Sequence, residues 1–122
     1  MSPVAAEIWP TEIKLSHDKR TLNVAFDNSD QFALPAELLR VMSPSAEVQG
    51  HSREQRVTVP GKRNVAIRDV RMIGNYAVQI VFDDGHDTGF YRWQYLHELG
   101  AGEAEHWQAY EADLAAKGLA RG

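Results

Sequence analysis

Histidine is the side chain most often recruited for proton transfer and metal binding near neutral pH. This chain carries five, at positions 17, 51, 86, 97 and 106, and their neighbours separate them. His17 stands beside Asp18 at a predicted turn and His51 lies in a polar stretch, while His97 and His106 fall on predicted helices with no second ligand at helical spacing. Surface roles are expected for all four. His86 differs, because the run Asp83, Asp84, Gly85, His86, Asp87 gathers three carboxylates and an imidazole into one turn. Oxygen and nitrogen donors this close suit a weak divalent-cation site with Asp83, Asp84, His86 and Asp87 as ligands. The simpler reading is an Asp-Gly hairpin whose carboxylates accept hydrogen bonds from their own backbone. Neither reading requires catalysis.

Other chemistry is narrowed by what the chain lacks. It has no cysteine, which removes disulfides, thiolate metal sites, cluster ligation and thiol nucleophiles. No nucleophile elbow, phosphate-cradling glycine loop, paired-histidine zinc motif or kinase signature occurs, and Gly61-Lys62-Arg63 is not a Walker sequence. A self-sufficient enzyme is therefore not expected. The net charge of -4 gives no general pull toward nucleic acid, although Arg53, Arg56, Lys62, Arg63, Arg68 and Arg71 form a local basic stretch. Basic residues interleaved with Tyr76 or Trp93 are a weak signal without a recognised module, so no nucleic-acid partner is expected. No apolar run approaches the roughly 20 residues that span a bilayer, and the opening MSPVAAEIWP lacks a basic segment followed by an apolar one. The expectation is a cytoplasmic chain with no membrane partner, monomeric by default.

The elements that must position these groups follow from periodicity. At 122 residues, with 43% apolar and 25% charged residues, the chain suits one domain over 1–122. Trp9 to His17 alternates as a half-buried strand with Ile13 and Leu15 inward, Thr21 to Phe26 places Leu22, Val24 and Phe26 on one face, and turns at Asp18 to Arg20 and Asn28 to Asp30 complete a meander through Phe32 and Leu34. Pro35 suits a first helical turn, and Ala36 to Met42 form a short helix ended by Pro44. A polar loop to about Arg56 and a short strand at Val57 to Val59 follow. Val65 to Met72 alternates with a phase shift near Asp69 that indicates a bulge. Gly74 and Asn75 turn it back into Tyr76 to Phe82, and a turn at Asp84 and Gly85 leads to Thr88 to Arg92. Trp93 to Leu99 turn helical, Gly100 and Gly102 break that helix, and Glu103 to Lys117 form an amphipathic one with Trp107, Tyr110 and Leu114 on one face and Gly118 as cap. The fold class read from this order is α+β: a twisted, mostly antiparallel sheet with a short central helix and C-terminal helices.

Three segments taken together, WPTEI, LPAELLRVMSPSAEV and IGNYAVQIVFDDGHDTGFYRWQYL, resemble the small domain family named for the N-terminal region of gamma-butyrobetaine hydroxylase, also known as DUF971. The resemblance covers about Ile8 to Leu99, leaving the C-terminal helix outside it. In the hydroxylase such a domain precedes an iron- and 2-oxoglutarate-dependent catalytic domain and binds a structural zinc through three cysteines and one histidine. By similarity the cysteine positions fall on Ser43, Ser45 and Val48, and the histidine position on His86. The resemblance thus implies no tightly bound zinc here and no other cofactor, with the Ser43 loop and the His86 turn still close together. Similar domains also occur attached to P-loop ATPases that carry iron-sulfur clusters.

These readings imply a non-catalytic accessory or protein-interaction domain, with an iron-sulfur carrier ATPase as partner. The alternative is a substrate-binding or accessory subunit of a separate iron/2-oxoglutarate oxygenase. The expected working surface joins the Arg40 to Val48 loop to the later turns, with Arg40, Ser43, Ser45, Asn75, Tyr76, His86, Tyr91 and Trp93 as contact candidates. The competing reading gives Tyr76, Tyr91 and Trp93 to the core and the neighbouring glycines to turns.

Overall fold

A computed structural model describes residues 8–50 and 56–122. His51 and Arg53, considered above, lie outside the described residues. The first meander forms as its alternation requires: β1 (Pro10–Leu15), β2 (Thr21–Phe26) and β3 (Gln31–Pro35) pair antiparallel in chain order. Leu22, Val24 and Phe26 all point into the core, and the tight turns rest on positive φ at Lys19 (66°) and Ser29 (76°). The same plan then repeats. Strands β4 (Ile67–Ile73), β5 (Ala77–Phe82) and β6 (Gly89–Arg92) make a second antiparallel sheet in the order β4-β5-β6, and its register shifts between Ile67 and Asp69, at the predicted bulge. The expected antiparallel α+β class is present, divided into two three-stranded sheets instead of one.

Each sheet ends in a strand that runs straight into a helix. Extended Pro35 precedes α1 (Ala36–Val41) and extended Arg92 precedes α3 (Trp93–Ala101), and no side chain caps either helix. They are held by packing: Leu38 and Leu39 of α1 and Leu96 and Leu99 of α3 are fully buried in one apolar core with Val78, Ile80 and Phe82 of β5 and Leu34 of β3. Each such side chain contributes about 1.5–3 kcal/mol through burial, more than a missing cap costs.

Four details depart from the sequence reading. The stretch after Pro44 is not all loop, because a single helical turn, α2 (Ala46–Gln49), follows extended Ser45 and buries Val48. Val57 to Val59 is not a strand. The Val57 amide donates to the Val48 carbonyl and the Val59 carbonyl accepts from the Tyr110 hydroxyl, bonds that need no sheet. Gly100 does not break α3 but lies inside it, where a Cβ would meet the Phe32 ring at 2.3 Å; the interruption comes at Gly102. Finally, α4 (Glu103–Ala116) buries only Tyr110 and Leu114, with Trp107 half buried. It closes as expected: Gly118 takes φ 68° while the Gly118 and Leu119 amides donate back to the Ala115 and Leu114 carbonyls.

Beyond α4 the chain folds back. The Ala120 and Arg121 carbonyls accept from the Gly61 and Arg63 amides, and Arg121 reaches Glu37 of α1 through two hydrogen bonds of 2.9 and 2.7 Å. Among the described residues no helix is long and apolar enough to cross a membrane.

Candidate functional site

The β5–β6 turn and the segment between α1 and α2 meet at His86. Asp84 fixes the turn: its Oδ1 accepts from the His86 amide at 3.0 Å, while its Oδ2 accepts from Arg40 Nε at 2.8 Å and Lys62 Nζ at 2.7 Å. Burial alone would raise this carboxyl, but the hydrogen bonds from Lys62, the His86 amide and Arg40 outweigh it and hold Asp84 well below the usual carboxylate range. Asp83 is likewise occupied, its Oδ1 accepting from the Ala66 amide at 3.1 Å, and the Asp87 carbonyl accepts from Gln79 Nε2.

These hydrogen bonds of Asp83 and Asp84 to backbone amides are of the kind the hairpin reading expects. The side chains of Asp83, Asp84 and His86 serve different partners, Asp87 is held through its backbone carbonyl, and among the described residues no three His, Cys, Asp or Glu side chains are grouped to hold a metal. The hairpin reading is the one the geometry shows.

The His86 ring points inward, with its side chain only 6% exposed. Its Nε2 lies 2.8 Å from Ser43 Oγ and 3.4 Å from Ser45 Oγ, and Nδ1 lies 3.5 Å from Glu47 Oε1. Burial, and then the charge of Arg40, lower the pKa of the ring, so it is neutral near pH 7. A neutral ring with a carboxylate on the Nδ1 side carries its proton there, leaving Nε2 to accept the Ser43 hydroxyl proton. Glu47 Oε1 also accepts from Thr88 Oγ1, tying α2 to the turn a second time. Glu47 was not singled out in the sequence, and Lys62 only as part of a basic stretch, because nothing in the spacing announces partners this far apart in the chain.

Hydroxyl, imidazole and carboxylate in this order are the parts of a nucleophile activated by a base. Both hydroxyls lie beneath the surface: Ser43 is fully buried and Ser45 is 5% exposed. Gly89 of β6 covers the serine closely: a Cβ there would come within 2.7 Å of Ser43 Oγ and 2.9 Å of the Tyr91 ring. Fully buried Tyr91 donates to the Leu39 carbonyl, and Tyr95, pushed up to about 12 by burial and by Glu98, donates to the Met42 carbonyl. The α1–α2 connection is thus pinned from three sides.

The expected contact surface needs a larger correction. Ser43, Ser45, His86, Tyr91 and Trp93 are all buried, and Trp93 Nε1 donates to the Asn75 carbonyl. Arg40 is spent on Asp84 and is only 12% exposed, although its Nη1 is buried with no partner among the described residues. Of the eight candidates, Asn75 and Tyr76 alone face solvent, Tyr76 with Arg92 stacked 5.3 Å from its ring centre. The competing reading, which gives these aromatics to the core, holds for Tyr91 and Trp93 and fails for Tyr76.

Two meanders, each running into a helix and joined through a buried serine-histidine contact, define the class. The family described as gamma-butyrobetaine hydroxylase-like, N-terminal, matches residues 13–97, and the chain belongs to it. Two NMR solution structures are similar to it: one is 44% identical over 93% of this chain and 89% of its own, with a TM-score of 0.80. The other is 46% identical over 99% and 90%, with a TM-score of 0.82. A crystal structure of a protein of unknown function, from the DUF971 family of Acidithiobacillus ferrooxidans, is 36% identical over 75% of this chain and 92% of its own, with a TM-score of 0.62. No curated protein matches the chain. Membership therefore names an architecture and no activity.

The zinc that the resemblance associates with this fold can be tested on the donors present. At the aligned positions stand two neutral hydroxyls, the buried aliphatic Val48 and one imidazole whose Nε2 already faces those hydroxyls. Structural zinc relies on thiolates and imidazoles, and no thiolate is available. The residues do not fit the metal.

Proposed function

We propose that this chain is a non-catalytic accessory domain that works by docking onto another protein. One observation carries the reading: the hydroxyl and imidazole that stand in line with Glu47, those of Ser43 and His86, are used to close the interior, with Ser43 wholly buried. A group placed there holds two segments together and meets no substrate. The partner class follows from the resemblance, in which similar domains accompany P-loop ATPases that carry iron-sulfur clusters. Without sulfur ligands this chain would act as an adaptor to such a carrier and would not hold the cluster itself.

The test is a calorimetric titration of the purified chain with the iron-sulfur carrier ATPase from its source, and in parallel with an iron/2-oxoglutarate oxygenase. Saturable binding to the carrier supports the adaptor reading, and binding to the oxygenase alone replaces it with an accessory-subunit role. Turnover of any acyl or phosphoryl substrate by the chain alone, lost in Ser43→Ala, contradicts the non-catalytic reading altogether.

A further inference from the structure

Strands β1 and β4 are each the outer strand of a three-stranded sheet, so among the described residues each has one side without a strand partner, although on β4 the Ile67 amide donates to the Lys19 carbonyl and the Val70 amide to Asp69 Oδ1. Side chains of both line a single open cleft of about 370 Å³. Its floor is the fully buried Leu22, and its walls are Ile13 and Leu15 from β1 and Val70 and Met72 from β4. Met72 is 61% exposed, the highest value among the large apolar side chains described. Both walls repeat every second residue, so alternate side chains of an extended chain can seat between them. The rim is basic: Lys19 and Arg68 stand against the single carboxylate of Asp69, which Arg71 already takes at 2.9 Å. On a chain of net charge -4 this is a local reversal of sign.

We infer that this cleft receives an extended, acidic and apolar segment of a partner protein, laid along the open strand edges with alternate side chains between Ile13 and Met72. The proposal rests on the docking reading above and names its surface. Main-chain hydrogen bonds along an edge give affinity, while the pockets for alternate side chains and the rim charge give selectivity. The charge argues against a second copy as occupant, since two basic rims would face each other.

The probe is a blocked peptide alternating valine with glutamate, titrated into the isotope-labelled full chain while amide shifts are followed, beside its lysine counterpart of equal length. The expected result is saturable shifts centred on Ile13, Leu15, Val70 and Met72, with the lysine peptide weaker by about tenfold. Met72→Glu, a change at an exposed position that leaves the fold intact, abolishes the shifts, and Lys19→Glu with Arg68→Glu reverses the order of the peptides. Equal response to both peptides, or none at millimolar concentration, overturns the proposal. So do cleft shifts that depend on protein concentration without peptide, which would make the cleft a self-interface, or contacts from residues 1–7 filling it. If a carrier ATPase binds wild type and Met72→Glu equally well, the docking reading stands and this surface is wrong.

Discussion

Burial and the nearby Arg40 charge press the His86 pKa down, while Glu47, Asp84 and Asp87 pull the other way and lose. The folded-state value lies below the 6.5 of an unperturbed histidine. Between the two values the unfolded chain binds more protons, so the stability His86 supplies is complete above about 6.5 and falls as the pH drops through that window. Urea unfolding followed from neutral to mildly acid pH is expected to show this loss in the wild type and a flatter profile in His86→Gln; identical slopes would contradict it. Truncation has a separate effect at neutral pH. In His86→Ala the buried Ser43 hydroxyl loses its acceptor, and an unsatisfied buried donor costs about 1–3 kcal/mol. Chemical denaturation that shows a cost of a few tenths would mean that Ser43 finds another partner. The sequence brought His86 and Ser43 together through the aligned metal positions alone; hydrogen bonds between residues 43 apart leave no trace in periodicity.

At the scale of elements, the strands were legible wherever alternation met turn chemistry. Gly74 and Asn75 marked the β4–β5 hairpin, and the broken phase at Asp69 marked a real bulge. Burial of aromatics was not legible in the same way. Tyr91 and Phe90 are neighbours on β6, one fully buried and the other 50% exposed, and which face meets the core depends on how the second sheet packs, information no local pattern holds. Gly100 is a parallel case, since a glycine in a helical pattern suggests a break while here it admits the Phe32 ring. Helix propensity would favour Gly100→Ala by about 1 kcal/mol, but the 2.3 Å approach to Phe32 Cγ forces α3 away from β3. Overpacking of that kind costs about 1–3 kcal/mol, so the variant is expected to melt at a lower temperature than wild type. A higher melting temperature would mean that α3 and β3 pack more loosely than this account holds.

Over the whole molecule, the two meander-helix halves are locked by contacts distant in sequence. Glu37, 6% exposed on α1, accepts both hydrogen bonds from Arg121, whose guanidinium also lies 5.0 Å from the Trp107 ring centre. Arg121→Ala leaves a buried carboxylate without its cation and is expected to lower stability by about 2 kcal/mol, recovered in part by Glu37→Gln in the same chain. Additive losses from the two changes would argue that they act independently. Such closure by ion pair, hydroxyl and imidazole, around an apolar interior, is what this account sets in place of a structural metal. The most direct test is thermal unfolding at neutral pH before and after exhaustive treatment with a strong chelator, with zinc quantified in the untreated protein. One unchanged midpoint and no stoichiometric zinc are expected. A midpoint that falls on chelation and returns when zinc is added would contradict it.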